Sequence, residues 1–419
     1  MKKIKKIIII LLMMVGISFA TEIDFLVEKL VEKGILTKEE AKNIVEEAKK
    51  EAKEQEKVAK KDIEKIFKWI KDTKFKGDIR LRYDYSQVTK DPDRNRTRIR
   101  FRWGFDTMVN EGLDVGFRIA TGESTDPTSS NQTFTNAFSD KKIWLDLAYL
   151  KYTFSSIPTL SITGGKMKNP FISSDLVWDG DINPEGFIIQ KTFPIKREEK
   201  TISEFFVTGG YFPVLEIKND VKDPYMLGMQ LGYRGKIRQK DFKAAIGYYD
   251  YNYIADNEAS SISPDYYNKG NTLYTIGGKK YYRYNYDILD AYIEFTPFEF
   301  ISKENKIPFT LYGEYIKNIS SSVSENNNGF ICGFKFGSAK KQNTWEIKYD
   351  YRRLEADAII EFMPDSDFGG TDIKGHMIGF KYALTNNSSI GISYLISNAL
   401  GINKTKDVKT LQIDFVVSF

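Results

Sequence analysis

Residues 77–86 read GDIRLRYDYS, and residues 94–105 read RNRTRIRFRWGF. In both stretches the side-chain character changes at every second position. Ile79, Leu81, Tyr83 and Tyr85 alternate with Asp78, Arg80, Arg82 and Asp84. Ile99, Phe101, Trp103 and Phe105 alternate with Arg98, Arg100, Arg102 and Asp106. A period of two belongs to the β-strand, whose successive side chains point to opposite faces.

The same period continues to the last residue. It carries Leu113-Val115-Phe117-Ile119, Ile143-Leu145-Leu147-Tyr149, Leu227-Met229-Leu231-Tyr233 and Leu289-Ala291-Ile293-Phe295. It returns in Trp345-Ile347-Tyr349-Tyr351, Ile378-Phe380-Tyr382-Leu384, Ile390-Ile392-Tyr394-Ile396 and Leu411-Ile413-Phe415-Val417, and the chain ends on Phe419. One face is bulky and apolar, with aromatic residues near the strand ends. The other carries charges and glycines. A soluble β-sandwich shares this period but hides its apolar face in a core. A secretion signal, the length of the array and the terminal Phe favour lipid as the apolar surrounding. Backbone groups in lipid must all be paired, so the sheet must close on itself. The fold class expected is therefore all-β, a transmembrane antiparallel β-barrel.

Strand centres are expected near residues 81, 101, 117, 147, 162, 189, 207, 230, 246, 291, 312, 333, 348, 379, 393 and 414, about sixteen strands in all. A spanning strand takes roughly 9–11 residues, which leaves room for turns and loops. Short connections near Asn110-Glu111-Gly112, Gln239-Lys240 and Thr385-Asn386-Asn387 are expected as periplasmic turns. Long ones near 87–94, 123–140, 167–186, 255–281 and 358–372 are expected on the outer side. A barrel of this strand number leaves an aqueous channel.

Composition narrows the chemistry. The 419 residues include one Cys and one His. An intrachain disulfide and a Cys/His metal cluster are excluded. A Ser-His-Asp site would have to be built on His376, which has no carboxylate partner in sequence. No enzyme, cofactor or metal centre is expected. Mean hydropathy is −0.41, which excludes a bundle of membrane helices. Cys332 alternates with Phe330, Phe334 and Phe336 and is expected on the lipid face.

Residues 1–20 read as a signal peptide: the basic MKKIKK, an apolar run, then Ser18-Phe19-Ala20. Removing Lys2, Lys3, Lys5 and Lys6 takes the formal charge from +5 to about +1, so a nucleic-acid partner is not expected. Residues 21–76 form a second segment, helical and filled with charge. Gly34 stops a first helix; Thr37, with Glu40 three residues on, forms a capping box for a second. This segment is expected to be periplasmic. It suits a solvated spacer and equally a coiled coil that trimerises the chain or touches peptidoglycan. Residues 77–419 form the barrel, where Lys plus Arg balance Asp plus Glu.

Arg80 and Arg82 share a face of the first strand. Arg96, Arg98, Arg100 and Arg102 share one on the second, and Arg118 lies on the third. Their neighbours are the lipid-facing hydrophobes, so the guanidiniums should point into the lumen as a permanently charged wall. Tyr248, Tyr249, Tyr251, Tyr253, Tyr281, Tyr282, Tyr284 and Tyr286 form a second cluster. It suits a sugar-stacking track, but better a girdle with loop packing.

The order of motifs carries a resemblance. After the helix come GDIRLRYDYS, RNRTRIRFRWGF, GLDVGFRIATG (112–122), KIWLDLAYLKYTF (142–154), ITGGKMKNPF (162–171), SDLVWDGDINPEGF (174–187) and an aromatic last strand. From about residue 22 to 419 the chain resembles the outer-membrane porins of Gram-negative bacteria that carry an N-terminal periplasmic helix. That resemblance implies a sixteen-stranded channel in outer-membrane lipid, a homotrimer, and a third outer loop folded into the lumen opposite an arginine cluster. The segment 166–186 matches that loop. Its Asp175, Trp178, Asp179, Asp181 and Glu185 would then form a constriction facing the arginine wall. Opposed charges there would select by sign and size, or would pair and fix the loop. The function expected is passive diffusion of small hydrophilic solutes and ions. A substrate-specific channel for anions or organic acids, and a tether to peptidoglycan, are the alternatives.

Overall fold

The computed structural model describes residues 25–47, 49–51, 53–54, 57, 72–197, 200–218, 222–265, 267–302, 305–403 and 406–419. The signal-peptide reading of 1–20 and the helical reading of 58–71 lie outside these residues. Two units are distinguished, Met1–Thr73 and Lys74–Phe419.

In the first unit, residues 25–32 and 38–47 are helical. The first helix ends at Gly34, whose φ of +71° lies in the left-handed region that glycine adopts without a Cβ clash. The Gly34 N–H donates to Val31 O at 3.0 Å, and the Ile35 N–H to Leu30 O at 3.0 Å, which closes the helix end. The expected capping box is present. The Glu40 N–H donates to Thr37 Oγ1 at 3.2 Å, and the Thr37 N–H to Glu40 Oε2 at 2.8 Å.

The second unit is a closed antiparallel barrel. Its spanning strands are β1 (Lys74–Val88), β2 (Arg94–Asn110), β3 (Leu113–Thr121), β5 (Ile143–Thr153), β6 (Leu160–Lys166), β7 (Glu185–Arg197), β8 (Lys200–Pro213), β9 (Tyr225–Ile237), β10 (Lys240–Asn252), β13 (Tyr286–Ser302), β14 (Asn305–Asn318), β15 (Asn328–Gly337), β16 (Trp345–Leu354), β17 (Ile373–Ala383), β18 (Ser388–Ala399) and β19 (Val408–Ser418). The two-residue β4 (Gln132–Thr133) pairs with β2 beyond the end of β3. The pair β11 (Leu273–Ile276) and β12 (Lys279–Tyr282) forms a separate hairpin within an outer loop. Sixteen strands thus span, and each expected centre falls inside one of them. Each pairs with its neighbours in sequence, and β1 pairs with β19, Ile79 opposite Val417 and Tyr85 opposite Leu411. No sheet edge is left, as lipid requires: an unpaired backbone group there costs several kcal/mol.

Short turns and long loops alternate along the whole barrel. The β9–β10 turn shows how tightly the short side is made. Arg238 and Gln239 both have positive φ, 48° and 67°, the geometry of a two-residue hairpin matched to strand twist. Outward positions are apolar and exposed, among them Leu227, Met229 and Leu231 on β9 and Ile390 and Ile392 on β18. Cys332 is exposed on this face. His376 lies within β17. Its ring is exposed beside Tyr351, and its Nδ1 is 2.9 Å from the Tyr349 hydroxyl.

The register shifts at four strand pairings, β2–β3, β3–β5, β7–β8 and β13–β14. On β5 the register shifts opposite Arg118 and Ile119. A bulge inserts one residue and reverses which side chains face out. Ile143 and Leu145 face out as expected, but Leu147 is buried, and Leu150 and Tyr152 take the outer positions. Tyr149 therefore turns inward, with its hydroxyl donating to Asp106 at 2.9 Å. Its ring lies where a Cβ on Gly116 would meet it at 2.2 Å, so any larger residue there would have to displace the ring.

Candidate functional site

The arginine face is built by register. β1 pairs with β2 so that Arg80 is opposite Arg100 and Arg82 opposite Arg98. Directly opposed like charges repel. The same strands supply the carboxylates that offset this. Asp78 Oδ1 lies 2.8 Å from Arg100 Nη2, and Asp78 Oδ2 lies 2.8 Å from Arg102 Nε. Asp84 Oδ1 accepts from Arg96 at 2.9 Å, and Arg98 Nη1 is 3.9 Å from its other oxygen. Arg118 pairs with Asp146 across β3 and β5. Arg82 reaches β19 and grips Asp414. All seven arginines are on the inward face, and most carry a partner.

Two further outer loops close on this wall. From the loop after β3, Asn131 accepts from Arg80 Nη2 at 2.8 Å and Ser129 from Arg98 Nη2 at 3.2 Å. From the loop 167–184, Asp181 Oδ1 lies 3.5 Å from Arg102 Nη1, while its Oδ2 accepts from the Ser130 hydroxyl at 3.1 Å. Asp181 is thus the member of the loop 167–184 that pairs with the arginine wall, and Asp179 lines the same cavity without touching an arginine.

The other three candidates lie elsewhere. Asp175 faces the far side, where its carboxylate takes Lys348 Nζ at 3.1 Å. Trp178 is 4% exposed and packs against Phe171; its indole N–H donates to Ile182 O at 3.1 Å. It anchors the loop. Glu185 is the first residue of β7, on the outward register, and pairs with Lys166 at 2.9 Å. The loop has ended before it.

The connection 355–372, expected near 358–372 as a long loop, also turns inward. Ala356, Ala358, Ile359, Ile360 and Glu361 are wholly buried, and Met363 and Phe368 nearly so. Of these, Ala358, Ile359, Ile360, Met363 and Phe368 join Leu176, Val177 and Trp178 and the inward Tyr249, Tyr286, Ile288, Ile316 and Leu354 in one apolar core. Part of the lumen is therefore packed like a protein interior. Of the tyrosine cluster, Tyr249, Tyr251, Tyr282 and Tyr286 are buried, while Tyr248 and Tyr253 stay exposed. Glu361 fastens this plug to the loop 253–285 by accepting the main-chain N–H groups of Asn268 at 2.7 Å and Asn271 at 3.1 Å.

The two inward loops are joined to each other. The Asp179 N–H donates to Met363 O at 2.7 Å, and the Asp365 N–H to Asp175 O at 2.9 Å. The Ser366 N–H donates to Asp179 Oδ2 at 2.9 Å. Against the arginine wall lies a polar cavity of about 280 Å³. Arg80, Arg100, Arg102 and Asn131 line one side; Asp179, Asp181, Asp365 and Asp367 line the other. Burial, with the Asp365 carboxylate beside it, pushes Asp179 up to about 8. Burial also raises Asp365, to about 6, with Arg352 acting against it. Burial opposes ionisation of Asp367 as well, but Arg82 wins and holds it below the usual carboxylate range. Asp365, Ser366 and Asp367 were not foreseen. The signal for them was the apolar run Ala358-Ile359-Ile360 inside a loop, too greasy for a solvated segment.

A family model described as "Putative porin" matches residues 84–419. The chain belongs to this porin family. The porin's barrel is similar to solved structures at low identity. OprB of Pseudomonas putida at high pH gives a TM-score of 0.57 at 12% identity, covering 83% of this chain and 94% of that one. The low-pH form gives 0.50 at 11% identity, covering 83% and 93%. OmpF of Salmonella typhi in complex with daunomycin gives 0.49 at 10%, covering 83% and 97%. No curated protein matches the chain. The first two show the fold alone. With family and barrel together, this porin is a channel-type protein of the bacterial outer membrane.

Proposed function

We propose that the porin passes small hydrophilic solutes and ions passively, along a narrow route between the arginine wall and the inward loops. The observation that carries this reading is the polar cavity bounded by Arg80, Arg100 and Arg102 and by Asp179 and Asp181, beside a part of the lumen packed with apolar side chains. Charges of opposite sign across a narrow gap set a transverse field. Solutes would cross there by size and charge. The plug makes the route eccentric and narrower than a sixteen-stranded barrel alone would give. In this reading the N-terminal helix stays periplasmic, and the barrel assembles as a homotrimer.

The test is planar-bilayer conductance of the refolded chain in a salt gradient. Stable current steps are expected, grouped in threes for a trimer. A folded, heat-modifiable barrel that gives no steps would overturn the diffusion reading.

A further inference from the structure

Most charges around the cavity already have a counter-charge within the protein. Arg100 and Arg102 hold Asp78, and Arg102 also approaches Asp181. Asp367 is held by Arg82, and Asp365 by Arg352. Two groups are left over. Arg80 has only the neutral Asn131 as its side-chain partner, and its buried Nε has no hydrogen-bond partner among the described residues. Asp179 accepts the main-chain N–H groups of Asp181 at 2.8 Å and Ser366 at 2.9 Å. No Lys or Arg among the described residues forms an ion pair with it.

So one cation, on the barrel wall, and one carboxyl group, on the inward loop, line a small cavity with no direct ion pair to either among the described residues. A buried charge lacking a partner is costly. A simple anion satisfies Arg80 and adds repulsion at Asp179, Asp181, Asp365 and Asp367. A simple cation satisfies Asp179 and is repelled by three guanidiniums. A molecule with a carboxylate at one end and an ammonium at the other satisfies both. The guanidinium's fork suits a carboxylate, and an ammonium brings three donors to Asp179.

We propose that this cavity selects small zwitterions, of the α-amino acid type, with their carboxylate toward Arg80 and their ammonium toward Asp179. This holds only if the barrel conducts, as proposed above. Swelling of liposomes containing the full chain, at pH 8, would compare four solutes of similar size: L-serine, sodium glycerate, ethanolamine hydrochloride and glycerol. L-serine should enter about threefold faster than glycerol, a modest preference for a partly screened polar site. The serine-to-glycerol ratio should fall toward one in Arg80→Gln and in Asp179→Asn alike. Serine no faster than glycerol would overturn the assignment. So would glycerate outrunning serine, or a ratio lost in only one of the two variants. Exclusion of all four solutes, glycerol included, would instead overturn the channel reading on which it rests.

Discussion

Arg82, on the first strand of the barrel, holds Asp414, on the last, through parallel hydrogen bonds of 2.7 and 2.9 Å. Its third nitrogen reaches Asp367 of the inward loop at 2.9 Å. One buried side chain therefore ties the closing strand pair to the plug. Replacing it with Leu strands two carboxylates at once. Breaking a buried pair from one side costs about 3–5 kcal/mol, less where water enters. Arg82→Leu should lower the temperature at which the folded form is lost on electrophoresis, and Arg82→Lys should fall between, since lysine keeps the charge but not the fork. An unchanged transition in Arg82→Leu would show that the seam does not depend on this contact.

The plug formed by 355–372 predicts a gain of conductance. Tyr286, Ile288, Ile316 and Leu354 are buried against it and would be wetted if it left. Replacing residues 357–370 with a short Gly-Ser turn should raise the single-channel step several-fold, because pore cross-section sets the limit. Removing its clamp alone, with Glu361→Ala, should give flickering rather than a larger step. A step of unchanged size in the loop deletion would mean that ions do not pass beside the plug.

How far the sequence could be read follows from which forces act locally. Strands such as β9 and β18 face lipid on one side, so their alternation is enforced residue by residue and is plain in the sequence. The capping box Thr37–Glu40 is likewise a contact three residues apart. The arginine face was legible because its outward neighbours were. The inward loops were not. Ile359 and Ile360 are buried by Tyr286 and Leu354, contacts set by the closed barrel and invisible to any window of sequence. Trp178 and Asp175 were grouped with Asp179 by proximity in the chain. The loop turns between them, so they end on different sides. The bulge in β5 misled for a similar reason, since Leu147 and Leu150 are equally apolar and only pairing to β3 decides which faces out.

The raised pKa of Asp179 gives a pH dependence with a definite sign. Asp365 and Asp181, from the two inward loops, face it, and Arg102 stands on the wall beyond. With a folded value of about 8, its neutral form prevails at lower pH and its charge appears as pH rises through that value. Anion preference in a salt gradient should therefore weaken between about pH 7 and 9, and Asp179→Asn should remove the change. Stability follows the same linkage. The folded chain keeps this proton where the unfolded chain has lost it, so the contribution of Asp179 to stability is full below the unfolded value of 3.8, falls as pH rises from there, and is gone above the folded value of about 8. A reversal potential flat across this range in the wild type would refute the assignment.

Asp78 offers the sharpest test of the wall, because one carboxylate neutralises two guanidiniums there. Asp78→Asn keeps the size of the side chain and frees Arg100 and Arg102, so reversal potentials should move toward anions. Replacing Arg98, Arg100 and Arg102 together by Ala leaves Asp78 and Asp84 facing water with fewer partners, and the shift should run toward cations. The two variants change the local charge by about +1 and −3, so the second shift should be the larger. If both moved the potential in one direction, a structural effect would be at work, since charge alone requires opposite signs. If neither moved it, ions would be passing where this wall does not face them.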